Sequence, residues 1–177
     1  GYGAACLRAL SALRGDPPDV VVFLDADRSD RPEEMSRLLA EIEAGADLVI
    51  GSRTRGRRER GSLTPQQLVG NAIACAALRL AYGARYTDLG PFRAIRWSAL
   101  ERLAMSERGY GWTVEMQLEA ARLGMTSAEV PVSYRRRIGV SKISGTIRGT
   151  VLASATILGL LARHGARRAR RRAVGSA

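Results

Sequence analysis

A single α/β domain, with a mostly parallel sheet flanked by helices, is the fold class this sequence predicts, and three observations predict it. The run Asp19-Val20-Val21-Val22-Phe23-Leu24 is unbroken and β-branched, the pattern of a strand buried on both faces. A helical spacing of apolar residues follows it and leads into a second apolar strand, Leu48-Val49-Ile50, so strand, helix and strand stand in the order of a parallel crossover unit. The chain has 177 residues, of which 46% are hydrophobic and 25% charged, a globular composition sufficient for one core and too short for two full catalytic domains.

The elements follow in order. Gly1-Tyr2-Gly3 reads as a glycine turn suited to approach a phosphate, and residues 4 to 13 as a helix. The chain starts without methionine, already inside an element, so further residues are expected ahead of Gly1. After the first strand, Pro32 at a first helical position, with Glu33 and Glu34 in the first turn, opens a helix whose apolar face is Met35, Leu38, Leu39 and Ile42, ending at Gly45. The second strand stops at Gly51-Ser52-Arg53. Residues 53 to 62 carry five arginines without apolar periodicity, the signature of a mobile basic loop or lid, or of an ordinary solvated one. Thr64-Pro65 opens a long helix to about Tyr82, with Leu68, Ile73, Ala77 and Leu80 as its expected buried side and Asn71 as a polar residue within the pattern. Tyr86 to Ile95 combines a turn with a short strand; helices from Trp97 to about Met105 and from Thr113 to Leu123 lead through Gly124 into a strand, Ser127 to Val132. Trp97 and Trp112 are expected as packing anchors, and Cys6 and Cys75 as core.

Charge and cysteine count exclude several classes. Of 28 cations 27 are Arg, Lys142 being the single lysine, against 17 acids, for a net charge of +11. Nine aromatics are present and none is interleaved with the arginine runs, which argues against a base-stacking nucleic-acid platform. Two distant cysteines rule out a zinc site or a disulfide scaffold and fit a reducing compartment. Residues 1 to 20 lack a basic start followed by an unbroken apolar run, so the expected location is cytoplasmic. Residues 149 to 162 are 14 uncharged residues bracketed by Arg148 and Arg163. At about 1.5 Å per residue they are too short to cross a core of about 30 Å. Followed by six arginines, they read as a helix lying in a membrane interface, or else as a packing helix with a basic tail holding the solvated His164. The expected division is therefore a catalytic domain over 1–148 and this segment over 149–177.

Asp25 and Asp27 alternate at the end of the first strand and would face one side if the chain stayed extended. In open α/β sheets ligands bind outside the carboxyl ends of the strands. Two carboxylates there repel unless a cation joins them, and a hard divalent ion, Mg²⁺ or Mn²⁺, bridging a diphosphate is the natural occupant. A helix cap followed by a loop is the plainer alternative.

Phe23-Leu-Asp-Ala-Asp27 with Arg31-Pro32-Glu33, then Gly51-Ser52-Arg53, then Thr87-Asp88-Leu-Gly-Pro-Phe-Arg93, resembles the family 2 glycosyltransferases of GT-A fold, a nucleotide-diphospho-sugar transferase-like, Rossmann-like architecture. The ending Glu129-Val-Pro-Val-Ser-Tyr134 with Arg137, Gly139 and Ser141-Lys142 is similar to the branch that makes dolichyl- or polyprenyl-phosphate sugars. Together the motifs run from Gly1 to about Gly149. The resemblance implies inverting hexosyl transfer from a nucleotide-sugar donor to a polyprenyl phosphate at the inner face of the cell membrane, serving cell-envelope glycan or glycoconjugate synthesis. By it, Asp25 and Asp27 would hold the donor diphosphate and its metal, and Arg53 would approach the phosphates. Arg135, Arg136, Arg137, Ser141 and Lys142 would form an acceptor-phosphate loop.

Asp88 is the implied catalytic partner of Asp27: a general base if the acceptor is a hydroxyl, or a sugar-orienting group if it is an anionic phosphate. Glu115 is the runner-up, or serves its helix dipole. Three departures stand out. Ser29 occupies the position where the polyprenyl-phosphate branch commonly has Gln, with Asp30 as a candidate replacement; Gly90-Pro91-Phe92 replaces Ser-Gly-Phe; and the family's first strand, which holds base and ribose, has no counterpart here. Competing readings are transfer to a saccharide or small-molecule hydroxyl and a non-catalytic protein binding anionic surfaces. A haloacid-dehalogenase-type phosphohydrolase would need a later lysine and an adjacent acidic pair around Mg²⁺, but the single lysine stands in Ser141-Lys142-Ile143-Ser144 and the sequence has no Asp-Asp pair.

Overall fold

The computed structural model describes residues 1–139 together with Gly159. Ser141, Lys142, His164 and the 149–177 segment as a unit therefore lie outside the described residues. The elements are helix α1 (Tyr2–Leu13), strand β1 (Val20–Phe23), a 3₁₀ turn (Pro32–Glu34), α2 (Met35–Glu43), β2 (Leu48–Ser52), α3 (Pro65–Tyr82), β3 (Arg93–Arg96), α4 (Trp97–Leu103), α5 (Trp112–Arg122) and β4 (Ser127–Pro131).

The sheet order is β1-β3-β2-β4. β3 runs antiparallel to both β1 and β2, whereas β4 is parallel to β2. Three strands thus share one direction, but two of the three adjacent pairs are antiparallel, so the sheet is mixed where a mostly parallel one was expected, because β3 is inserted against its neighbours. The crossover unit β1-α2-β2 has the expected polarity, but β3 is inserted between its two strands. Phe23 and Ile50 both face Arg93 in register, so the ends of β1 and β2 and the start of β3 meet at one edge of the sheet. That edge is where the acidic and basic motifs collect.

Period-two alternation divides the core into two layers. Leu48, Ile50 and Ile95 face one layer with Leu100, Leu103, Trp112 and Met116. Val49, Ala94 and Phe92 face the other with Leu38, Ile42 and Val130. β2 is buried throughout, while β1, at the sheet edge, is only half-buried, so its continuous apolar run does not mark a central strand. Phe23 meets Trp112 edge-on at 6.1 Å between ring centroids, fixing Trp112 as a packing anchor.

The long helix begins in a capping box, Thr64 accepting from the Gln67 N–H and Gln67 accepting from the Thr64 N–H, and ends at Gly83 with φ of +72°. Its buried side corrects the expectation: Ala74, Cys75 and Leu78 face inward, whereas Ile73 and Leu80 are 56% and 88% exposed. The helix is apolar on both sides, so apolar spacing alone did not reveal which side packs.

The basic stretch 53–62 is pinned rather than free. Glu59 N–H donates to the Tyr134 carbonyl at 2.9 Å, Tyr134 N–H to the Arg57 carbonyl at 2.9 Å, and Arg136 N–H to the Glu59 carboxylate at 2.9 Å. A side chain at Gly56 would collide with the Val132 backbone, so only glycine permits this close approach.

Candidate active site

β1 ends at Phe23, and Ala26 and Asp27 already form a turn, with Arg28 in the left-handed region at φ +63°. The two aspartates are therefore brought together by a turn and not by continued extension. Two hydrogen-bonded closures hold it. The Asp25 N–H donates to Asp30 Oδ2 at 3.1 Å, and the Ser29 N–H and hydroxyl both donate to Asp27 Oδ1. Ser29 thus serves Asp27 directly.

Burial, then the neighbouring Asp27 charge, pushes the Asp25 carboxyl above the usual range, against the pull of Arg137, Arg53 and Arg93. Asp30 is only 3% exposed, and burial pushes it up to about 6. Its Oδ1 is buried without a hydrogen-bond partner.

The segment after β4 lies along this loop. Arg135 N–H donates to the Ser29 carbonyl and Ile138 N–H to the Asp27 carbonyl, each at 2.9 Å, and the Arg137 guanidinium stands 3.3 Å from Asp27 Oδ2. The arginines assigned to an acceptor phosphate are thereby placed against the aspartates assigned to the donor. Arg136 points elsewhere, donating through Nε to the Arg60 carbonyl at 2.8 Å.

Arg53, just beyond β2, is the second centre. Asp88 is fully buried; its Oδ2 accepts from the Arg53 N–H at 2.7 Å and Nε at 2.9 Å, and its Oδ1 from Nη2 at 2.7 Å. The Tyr134 ring lies 5.1 Å from the Arg53 guanidinium carbon. Burial alone would lower the Arg53 pKa, but the hydrogen bonds and charge of Asp88 reverse this and hold the guanidinium firmly protonated. Both Asp88 oxygens thus accept from Arg53, and the carboxylate holds the guanidinium in place.

Four elements grip the Thr87–Gly90 segment. Glu129 on β4 accepts the Thr87 N–H and hydroxyl, each at 2.7 Å. Asn71 on α3 bridges the Thr87 carbonyl and the Leu89 N–H. Gln117 on α5 donates to the Asp88 carbonyl at 3.0 Å and accepts from Arg93. Arg93 on β3, fully buried, also donates to the Gly90 and Thr113 carbonyls. Burial pushes its pKa down to about 10, which leaves it charged at neutral pH. Sequence reading missed Gln117 and the role of Asn71, whose one signal was a polar residue inside an apolar helix pattern. Glu115 is also resolved: its carboxylate accepts from the Ser106 N–H and hydroxyl and the Glu107 N–H, fastening the turn before its own helix.

Among the described residues, no three His, Cys, Asp or Glu side chains are arranged to enclose a metal. Asp25 and Asp27 are two hard carboxylate donors, chemically suited to a divalent ion such as Mg²⁺ or Mn²⁺ if diphosphate oxygens complete the coordination.

Comparison with known proteins gives the same picture. A model of glycosyl transferase family 2 matches residues 1–104. The chain is 38% identical over 158 residues to an undecaprenyl-phosphate mannosyltransferase of Micrococcus luteus, covering 86% of this chain and 64% of that one. It is 35% identical over 151 residues to a polyprenol monophosphomannose synthase of Mycolicibacterium smegmatis, covering 82% and 57%. The chain thus spans about three fifths of the length of these curated relatives. Among solved structures, glucosyl-3-phosphoglycerate synthase of Mycobacterium tuberculosis in complex with phosphoglyceric acid superposes with a TM-score of 0.68 at 23% identity, over 92% of this chain and 55% of that one. The same enzyme in complex with Mn²⁺ and UDP-glucose gives 0.62 at 22%, over 90% and 55%. The structural likeness establishes the GT-A fold. With the motif order, the edge of the sheet where the motifs meet and the match over more than half the chain in agreement, the chain belongs to glycosyl transferase family 2.

Proposed function

We propose that this chain carries the chemistry of an inverting hexosyltransferase that moves a sugar from a nucleotide-sugar donor to a polyprenyl phosphate at the inner face of the cell membrane. One observation carries the reading: the Arg135–Ile138 segment is hydrogen-bonded along the Asp27–Ser29 carbonyls, so cations suited to an acceptor phosphate abut carboxylates suited to a donor diphosphate. The two relatives named above, both enzymes of polyprenyl-type phosphates, support the same acceptor class.

In this reading Asp25 and Asp27 bind the divalent ion that the donor brings, Mg²⁺ or Mn²⁺. Such an ion, when bound, would supply positive charge against that developing on the leaving diphosphate. Ser29 fixes the Asp27 carboxylate through two hydrogen bonds, and Asp30 anchors the Asp25 backbone. Arg53, held by Asp88 and Tyr134, presents a fixed positive charge to the phosphates. Arg137 is only partly buried, so its pairing with Asp27 is worth at most about 1 kcal/mol and exchanges readily for a phosphate. Arg135 is assigned to the same acceptor phosphate, as are Ser141 and Lys142 on their sequence motif alone. An acceptor phosphate is already an anion and needs no base, which agrees with an Asp88 fully engaged by Arg53. A hydroxyl acceptor would need a free base at this position.

The test supplies the protein with Mn²⁺ or Mg²⁺, a panel of nucleotide sugars and polyprenyl phosphate, and scores nucleotide release and glycolipid. Glycolipid that disappears in Asp27→Ala is the expected result. Nucleotide release only with a hydroxyl acceptor would overturn the lipid-phosphate assignment, and none with any donor would leave an anionic-surface binding protein.

A further inference from the structure

Helix α3 has two faces, and the site accounts for only one of them. The inner face carries Asn71, which fixes the turn holding Asp88, together with buried Ala74, Cys75 and Leu78. The opposite face is apolar as well. Val69, Ile73, Ala76 and Leu80 recur at helical spacing, and the three large ones are 60%, 56% and 88% exposed. Arg79 is the single charged residue among the helix's 18. A helix apolar all round has its outer side covered by another apolar phase.

The surrounding charge identifies that phase. Arg57, Arg58 and Arg60 are exposed ahead of the N-terminus of α3, and Arg79 and Arg85 are exposed in its last turn and just beyond it. Cations at both ends of an apolar stripe match an anionic lipid surface, with side chains in the acyl boundary and guanidinium groups among the headgroups. A second copy packed antiparallel across the stripe would set its own arginines against these, in a chain of net charge +11. No helix among the described residues is long and apolar enough to cross a membrane, so such a helix lies on the bilayer and does not span it.

We propose that the outer face of α3 is a membrane-docking surface that seats the domain on an anionic bilayer, with Val69, Ile73 and Leu80 inserted and the flanking arginines on headgroups. The proposal rests on the polyprenyl-phosphate reading for its purpose, not for its geometry. Because Asn71 ties the inner side of the same helix to the Asp88–Arg53 pair, docking would bring the phosphate site within about one helix diameter, roughly 10 Å, of the lipid surface. A phosphate carried on a membrane-buried chain then reaches the site without leaving the bilayer.

The test uses Ile73→Trp in the whole chain, with vesicles of phosphatidylglycerol carrying brominated acyl chains and phosphatidylcholine vesicles as the uncharged control. Quenching of the new tryptophan beyond that of the native pair, on anionic vesicles only, is expected. A second variant, Ile73→Glu with Leu80→Glu, should weaken co-sedimentation with anionic vesicles roughly tenfold or more while its circular dichroism and melting temperature stay those of the parent. Vesicle binding without quenching at position 73 would overturn the proposal, assigning attachment to residues elsewhere, such as 149–177. A parent that is dimeric and becomes monomeric in the double variant would overturn it too, since the face would then be a protein interface. Glycolipid synthesis from detergent-dispersed acceptor is measured alongside: its absence with quenching intact removes the acceptor reading and leaves the docking surface standing.

Discussion

Asp88 and Arg53 form a bidentate pair in which the carboxylate has no exposed surface and a third hydrogen bond comes from the Arg53 backbone N–H. Such a pair is costly to break from one side, because the remaining charge stays buried without a partner. Asp88→Ala should therefore lower stability by about 3–5 kcal/mol in urea denaturation. Arg53→Ala should be similarly harmful, and the double variant should cost clearly less than the two together. Simple additivity in this cycle would show that the two side chains do not act as a unit.

Asp88 is placed as a positioning residue, and a pH profile separates this from proton abstraction. Asp88→Asn should lower kcat yet keep the shape of the parent pH–rate profile, because no proton passes through it. Loss of the acidic limb in the variant would restore the general-base assignment, since a base loses activity as it is protonated.

Asp27 and Arg137 face each other across 3.3 Å and should separate in binding experiments. Asp27→Ala should abolish Mn²⁺-dependent binding of nucleotide sugar by calorimetry, with little change in melting temperature, since the loop is partly exposed. Arg137→Ala should leave that binding intact and raise the KM for polyprenyl phosphate about tenfold, the scale of one charge-assisted phosphate contact. Equal effects on donor and acceptor would contradict the division of labour.

How far the sequence could be read follows from what each kind of residue signals. Asp25, Asp27 and Arg53 end apolar strands, and strand ends are visible as a change of composition, so the edge that gathers them was legible. The insertion of β3 between β1 and β2 was not, because strand order is set by contacts distant in sequence, here Phe23, Arg93 and Ile50 in one register. The Asp88–Arg53 pair spans 35 positions and leaves no local trace. The inward side of α3 was misread at Ile73 and Leu80 because both faces are apolar, an ambiguity that itself marks the helix as unusual.

Cys75 offers a probe of the same region. Burial, then the charges of Asp88 and Glu129, pushes its thiol up to about 12. At pH 8 the thiolate is therefore scarce, and alkylation by iodoacetamide should run roughly a thousandfold or more slower than for a free thiol of pKa near 8.5. The half-buried Cys6 should be modified first. Peptide mass spectrometry over a time course checks this, and rapid native labelling of Cys75 would mean that α3 opens readily.

Asp30 supplies a stability prediction with a definite sign. Its carboxyl stands at about 6 in the folded chain against an ordinary value of 3.8, with burial as the main cause. A carboxyl whose pKa is higher folded than unfolded holds its proton more tightly when folded, so ionising it costs stability. Well below the ordinary value of 3.8 the group is neutral in both states and the penalty is absent; it grows as pH rises through 3.8 towards about 6 and is constant above. Asp30→Asn keeps an oxygen to accept the Asp25 N–H and removes the charge. In the presence of EDTA it should raise stability by about 1–3 kcal/mol at pH 7.5 and by little at pH 4. Excess Mn²⁺ and nucleotide sugar should narrow the gain at pH 7.5, because a divalent ion beside Asp25 and Asp27 offsets the charge that the substitution deletes. Thermal melts at the two pH values, with and without the metal, make the comparison, and a variant less stable than the parent at pH 7.5 in EDTA would show that the Asp30 carboxylate is stabilised by its surroundings and not strained by them.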